Sequence, residues 1–190
     1  MNQPIETFKV GNKTVNIFQD EDSESPRTSM DNLGKMICFH RRYNLGDKHD
    51  YKSSDYNSYA EMEKAIKKEE NAAVILPLYL FDHSGITMRT TSFNDNWDSG
   101  QVGFIVVSKE KVREEYSVKR INKKLLEKVT AYLVGEVETY DQYLRGDIYG
   151  FKIEDSEENE IDSSWGYYGI ESVKQVAKQE AEHIIKAEMA

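Results

Sequence analysis

The sequence predicts an α+β fold: a mostly antiparallel sheet of about five or six strands, with two long amphipathic helices packed on one face. Three observations carry this. The runs AAVILPLYLF (72–81) and QVGFIVVS (101–108) are rich in β-branched and aromatic residues and have strand length. Residues 125–144 and 173–185 repeat apolar side chains every three to four positions, the period of a helix with one buried face. Shorter segments alternate apolar and polar residues with period two. At 190 residues the chain is read as a single domain, 1–190.

In order, ETFKVGNKTVNIF (6–18) predicts a hairpin, since Phe8 and Val10 alternate before Gly11-Asn12 and Val15 and Ile17 after it. Residues 19–35 are acidic and then rich in Ser, with Pro26 and Gly34, which predicts a flexible loop. Met36–Phe39 is a short strand. Tyr59–Glu70 is a helix: Ser58 stands at the cap, Glu61 three residues on, and Tyr59, Met62 and Ile66 form a narrow stripe. Pro77 inside the next strand requires an edge or a bulge, because it cannot donate a ladder hydrogen bond. Asp82–Gly85 closes that strand in a turn. Ser108 caps a short helix, and Asn122 caps a long one whose buried face runs from Leu125 through Val129, Leu133, Val137 and Tyr140 to Leu144. Gly135 weakens this helix by about 1 kcal/mol relative to Ala. Residues 148–153 form a strand, 154–162 an acidic loop with Ile161 returning toward the sheet, and 163–169 an aromatic turn that can pack Trp165 on the core. A final helix spans Glu171–Glu188.

The net charge of −9 and pI near 5.0 argue against a direct nucleic-acid binder, which needs a basic face for phosphates. An acidic protein can instead seek a basic partner surface, including one that ordinarily holds nucleic acid. The charge is uneven: residues 108–128 carry eight Lys or Arg against four acids, whereas 129–190 carry five against fourteen. Cys38 is the only cysteine, so no intrachain disulfide can form, and a reducing compartment is expected. MNQPIETFKV has no signal-peptide pattern, and no apolar run approaches the ~20 residues that cross a bilayer. The expected location is the cytoplasm, away from membranes.

Two candidate chemistries follow. In the first, His40, Asp82, His83 and Asp98 lie at strand ends, where loops carry sites, and would surround a cleft as a metal-dependent hydrolase. Cys38 and His40 would share a strand face and could ligate zinc with His49, Asp82 or His83; the alternative is a buried thiol beside a hydrogen-bonded imidazole. Asp82-His83-Ser84 is not a catalytic triad, because strand neighbours point to opposite faces. SFNDNWDSG (92–100) has acceptors for a hard cation but lacks the glycine and closing glutamate of a calcium loop.

In the second, the protein works by contact, with no cofactor. Asp95, Trp97 and Asp98 would form one partner-binding tip, with Trp97 as an anchor or else a lid on the sheet. Glu154, Asp155, Glu157, Glu158, Glu160 and Asp162, with Trp165, would form the other.

The segments CFHRRYNLGD (38–47), LPLYLFDHSGITM (76–88), WDSGQVGFIVVS (97–108), VETYDQYLRGDIYGF (137–151) and DSSWGYYG (162–169) resemble a family of small proteins from phages, prophages and mobile elements of Firmicutes. That family often has Cys where Ser164 stands here, which weakens any thiol or metal role at that point. The resemblance implies an accessory protein that blocks host defence, with a CRISPR-type nuclease as the candidate partner. Contact is therefore the leading expectation, and the hydrolase the alternative.

Overall fold

A computed structural model describes residues 3–94 and 97–189. It is α+β, with two four-stranded antiparallel sheets. The chain contacts itself as two compact units: residues up to Glu24 together with those from Gln142 onward, and Ser25–Asp141 between them. One sheet of five or six strands is therefore not what forms. The hydrophobic pattern identifies strands but not partners, and the pairing of the second strand with a strand more than a hundred residues later leaves no local trace.

The terminal unit contains β1 (Glu6–Val10), β2 (Lys13–Gln19), β7 (Ile148–Glu154), β8 (Glu160–Tyr168) and α5 (Ile170–Glu188). Strand order is β1-β2-β7-β8. Gly11 makes the β1–β2 turn at φ +58°, a conformation that costs glycine little. In register, Phe8 faces Val15, Val15 faces Ile153, and Ile17 faces Phe151. This apolar set is buried against Val173, Ala177 and Ala181 of α5, whose small side chains let the helix approach the sheet closely. Lys13 is buried and places its Nζ 2.5 Å from Glu188, tying the start of β2 to the end of α5. On the opposite sheet face Trp165 lies directly over Gly150, where an added Cβ would overlap the indole, and Phe18 flanks it at 6.0 Å. The segment 163–169, expected as a turn, is thus mostly strand β8.

The central unit holds β3 (Lys35–Cys38), β4 (Ala72–Asp82), β5 (Ile86–Arg89) and β6 (Ser99–Ser108), in the order β3-β6-β4-β5. Around them are the short α1 (Pro26–Ser29), α2 (Tyr59–Glu69), α3 (Lys109–Glu115) and α4 (Lys123–Leu144), whose last residues pass into the terminal unit. The caps form as expected: Ser58 Oγ accepts from Glu61 N, Ser108 Oγ from Lys111 N, and Asn122 Oδ1 from Leu125 N. α2 covers Ile37, Phe104 and Val106. Pro77 sits within a strand that has two neighbours overall. It is tolerated because β5 pairs with β4 only from Tyr79 onward, and a register shift follows between Leu78 and Tyr79. The two long helices do not share one sheet face: α5 covers the terminal sheet, while α4 belongs chiefly to the central unit.

Within residues 19–35, α1 is capped by Ser25 and begins with Pro26. Arg27 follows, its side chain 3% exposed. It donates to both carboxylate oxygens of Asp47 (3.0 and 2.5 Å), to Glu136 Oε2 (2.8 Å) and to the Gly34 carbonyl (2.6 Å). Glu136 also accepts the amides of Leu33 and Gly34, and Asp47 that of Met36. One cation and two anions, all multiply hydrogen-bonded, thereby join α1, the start of β3 and α4. Burial alone would lower the Arg27 pKa, but Asp47 and Glu136 more than offset it, so the net shift is upward.

Candidate functional site

In the central unit, the end of β3, the end of β4 and the start of β6 lie side by side, since Cys38 pairs with Gly103 and Phe81 with Ser99. The loops they feed surround a hollow of about 450 Å³ that includes His40, Arg42, Asp82, Trp97, Asp98 and Gln101. The expected residues do come to one rim. They do not converge on one point.

Asp82 is taken by Arg42 and accepts from the Tyr43 hydroxyl at 3.3 Å. His83 Nδ1 lies 3.0 Å from Asp98. The Nδ1 of His40 accepts the backbone amides of Arg42 and Tyr43, and its ring stacks on Tyr43 at 4.9 Å. Each candidate ligand thus already has its own partner. Among the described residues no group of three or more His, Cys, Asp or Glu side chains is placed to hold a metal. The metal-dependent hydrolase with His40, Asp82, His83 and Asp98 as one cluster loses its geometric basis.

Cys38 joins no such site either. It is buried, and burial, reinforced by the Asp47 charge and opposed by Arg27, pushes its thiol up to about 12. A buried thiol of that kind stays protonated near neutrality and is a poor nucleophile. His49 lies behind it, with Nε2 3.0 Å from the Cys38 carbonyl and the ring edge-on to Phe39.

Trp97 is 96% exposed, so it is not a lid on the sheet. Asp98 beside it is half-exposed and occupied by His83. Asp95, the third residue of this expected tip, lies outside the described residues.

In the terminal unit, the acidic segment is the turn between β7 and β8. Its carboxylates do different jobs. Asp155 accepts the amides of Glu157 (2.8 Å) and Asn159 (2.9 Å), and these bonds, led by Asn159, hold its pKa below the ordinary value. It builds the turn. Glu160 binds Lys152 Nζ at 2.6 Å and the Ser163 hydroxyl at 2.9 Å, and its pKa is lowered for those reasons. Glu157 and Glu158 are exposed at the tip, with Glu158 at φ +64°. Glu154 and Asp162 are half-buried along the two strands. Beside them on β8, Ile161 and Trp165 are 41% and 46% exposed. Among the described residues β8 pairs only with β7, which makes it an edge strand of this sheet.

Two features escape sequence reasoning. The Arg27–Glu136 contact joins residues 109 apart, and no periodic signal marks it. A second hollow, which shares Phe39, His40 and Arg41 with the first, has Tyr51, Lys52 and Tyr59 among its walls. The polar, tyrosine-rich stretch 50–58 is its only sequence trace. Comparisons with known protein families, with curated proteins and with solved structures find no match.

Proposed function

We propose that the protein acts by contact, as an inhibitor or adaptor that binds a basic partner protein through its terminal unit and makes or breaks no bond in doing so. One observation supports this above the others. The terminal unit contains sixteen acids against seven lysines and arginines, and the central unit eighteen of each. The whole net charge of −9 therefore belongs to the terminal unit. A field of one sign over one unit steers a basic surface into encounter and rejects acidic ones. At the tip, Glu157 and Glu158 supply charge, while Trp165 and Ile161 on the edge strand supply apolar contact. An aromatic anchor within a charged rim is a common arrangement of binding energy.

The resemblance to phage and mobile-element proteins supplies the partner class: a host defence nuclease of the CRISPR type, whose nucleic-acid channel is basic. Trp97, exposed in the central unit, is a second anchor of the same kind.

The reading is tested by binding the purified chain to such nucleases at rising salt. Reversal of Glu157 and Glu158 to Lys should slow association by roughly tenfold or more, since outlying charges act on the on-rate. Trp165→Ala should chiefly speed dissociation. Binding insensitive both to salt and to the two reversals would sink the proposal, as would the absence of any bound nuclease.

A further inference from the structure

We propose that the hollow beside the end of β3 is a binding site for a small aromatic anion of the nucleoside monophosphate class. It goes beyond the contact function and does not depend on it.

The hollow measures about 530 Å³, within the range of small-molecule sites. Phe39, Tyr51 and Tyr59 give it three aromatic walls; Arg41, Lys52 and His40 give it donors; among the described residues no carboxylate lines it. In a chain with more acids than bases this composition is selective. The two hollows that share wall residues with it contain Asp82 and Asp98, or Asp50, Asp55, Glu69 and Glu70. A further hollow with several cations, at Lys109, Arg113, Lys119 and Arg120, has no aromatic wall among the described residues.

The cations are available. Arg42 is paired with Asp82, but neither Arg41 nor Lys52 has an ion-pair partner among the described residues. His40 contributes a donor: its Nδ1 accepts two backbone amides, which places the ring N–H at Nε2. The rings are held from behind. Tyr59 meets Phe104 edge-on at 6.1 Å, Phe39 meets His49 at 5.0 Å, and the Tyr51 hydroxyl donates to Glu70 at 2.9 Å. The aromatic surfaces are thus fixed before a ligand arrives, which lowers the entropy cost of stacking a base.

The ligand is small. A nucleic-acid strand brings many phosphates to a molecule of charge −9 and meets long-range repulsion, whereas one phosphate seated between Arg41 and Lys52 feels chiefly its local donors. Glu69 and Glu70 line the adjoining hollow, which shares Tyr51, so the phosphate is expected at Arg41 and Lys52 and the base against the rings.

Calorimetric titration of the full chain with AMP, UMP, inorganic phosphate and a short single-stranded oligonucleotide tests this. Saturable binding of at least one mononucleotide is expected, weakened roughly tenfold or more by Arg41→Ala and by Lys52→Ala, both at exposed positions where the fold should be unaffected. Tyr59→Leu should weaken the mononucleotide and leave phosphate unchanged. Absence of saturable binding up to ~5 mM overturns the site. So does binding that ignores Arg41 and Lys52, phosphate binding as tightly as either nucleotide, or an oligonucleotide preferred over both.

Discussion

Arg27 is a buried cation that answers two buried or half-buried anions, and the cost of removing it follows from what it leaves behind. Arg27→Leu strands Asp47 and Glu136 without their cation, and a loss of about 3–5 kcal/mol is expected in urea unfolding. The half-exposed Lys35–Glu70 pair, 3.2 Å apart, is the contrast: Lys35→Ala should change stability by no more than about 1 kcal/mol. Cys38 makes a second prediction. Its folded-state pKa, about 12, lies above the ordinary 9.0, so the folded protein holds the proton more tightly than the unfolded chain. The resulting stability is complete below pH 9 and is lost as pH rises toward 12. Near neutrality a thiol reagent should label Cys38 only when the protein unfolds, and rapid labelling of the native protein would contradict this. At this scale the sequence spoke through local chemistry. Ser58, Ser108 and Asn122 were readable as caps because a cap needs only its own turn. Arg27 was not, because its partners are set by tertiary packing.

Among the elements, two glycines make opposite predictions. At Gly150 an added methyl group would overlap the Trp165 ring. Gly150→Ala should displace the indole, shift its fluorescence and cost about 1–3 kcal/mol through overpacking. Nothing lies within 4 Å of the methyl that Gly135→Ala would add in α4, so that change should stabilise the protein by about 1 kcal/mol. In the β7–β8 turn, Asp155→Ala frees the amides of Glu157 and Asn159, and faster hydrogen exchange at those two positions is the expected outcome. The helices were legible because a 3.6-residue apolar period sustained over several turns fits no strand. β5 and β8 were not. β5 has only four residues, and β8 buries none of its side chains fully, so serine and glycine there read as turn even though its backbone pairs with β7 from Glu160 to Tyr168 across two irregularities. The exposure of Trp97 and of the acids at the tip of the β7–β8 turn agrees with their residue types. The division of its acids into turn-builders and exposed charges was not legible, because it depends on which amides Asp155 meets.

For the molecule as a whole, antiparallel α+β architecture was visible in the sequence and its division was not. Charge counted along the chain placed the negative excess in the last third. Charge counted by unit places it on the unit that also includes the first 24 residues, because Asp20, Glu21, Asp22 and Glu24 belong there too. A prediction at this scale follows from that segregation: substitutions that neutralise acids of the terminal unit should lower salt-sensitive association with a basic partner more than equal numbers made in the central unit, read as the slope of log affinity against log salt.

The pairing of Thr14 with Glu154 has a consequence for how the protein is made. During synthesis β1 and β2 leave the ribosome ahead of the central segment, yet the strand that must lie against β2 appears only after residues 25–141 have emerged. The β1–β2 hairpin, too small to persist alone, waits uncompleted while the residues between β2 and β7 are made. The central segment can meanwhile collapse on its own. Release of α5, the cover for Val15 and Ile17, is then the event that completes the terminal sheet.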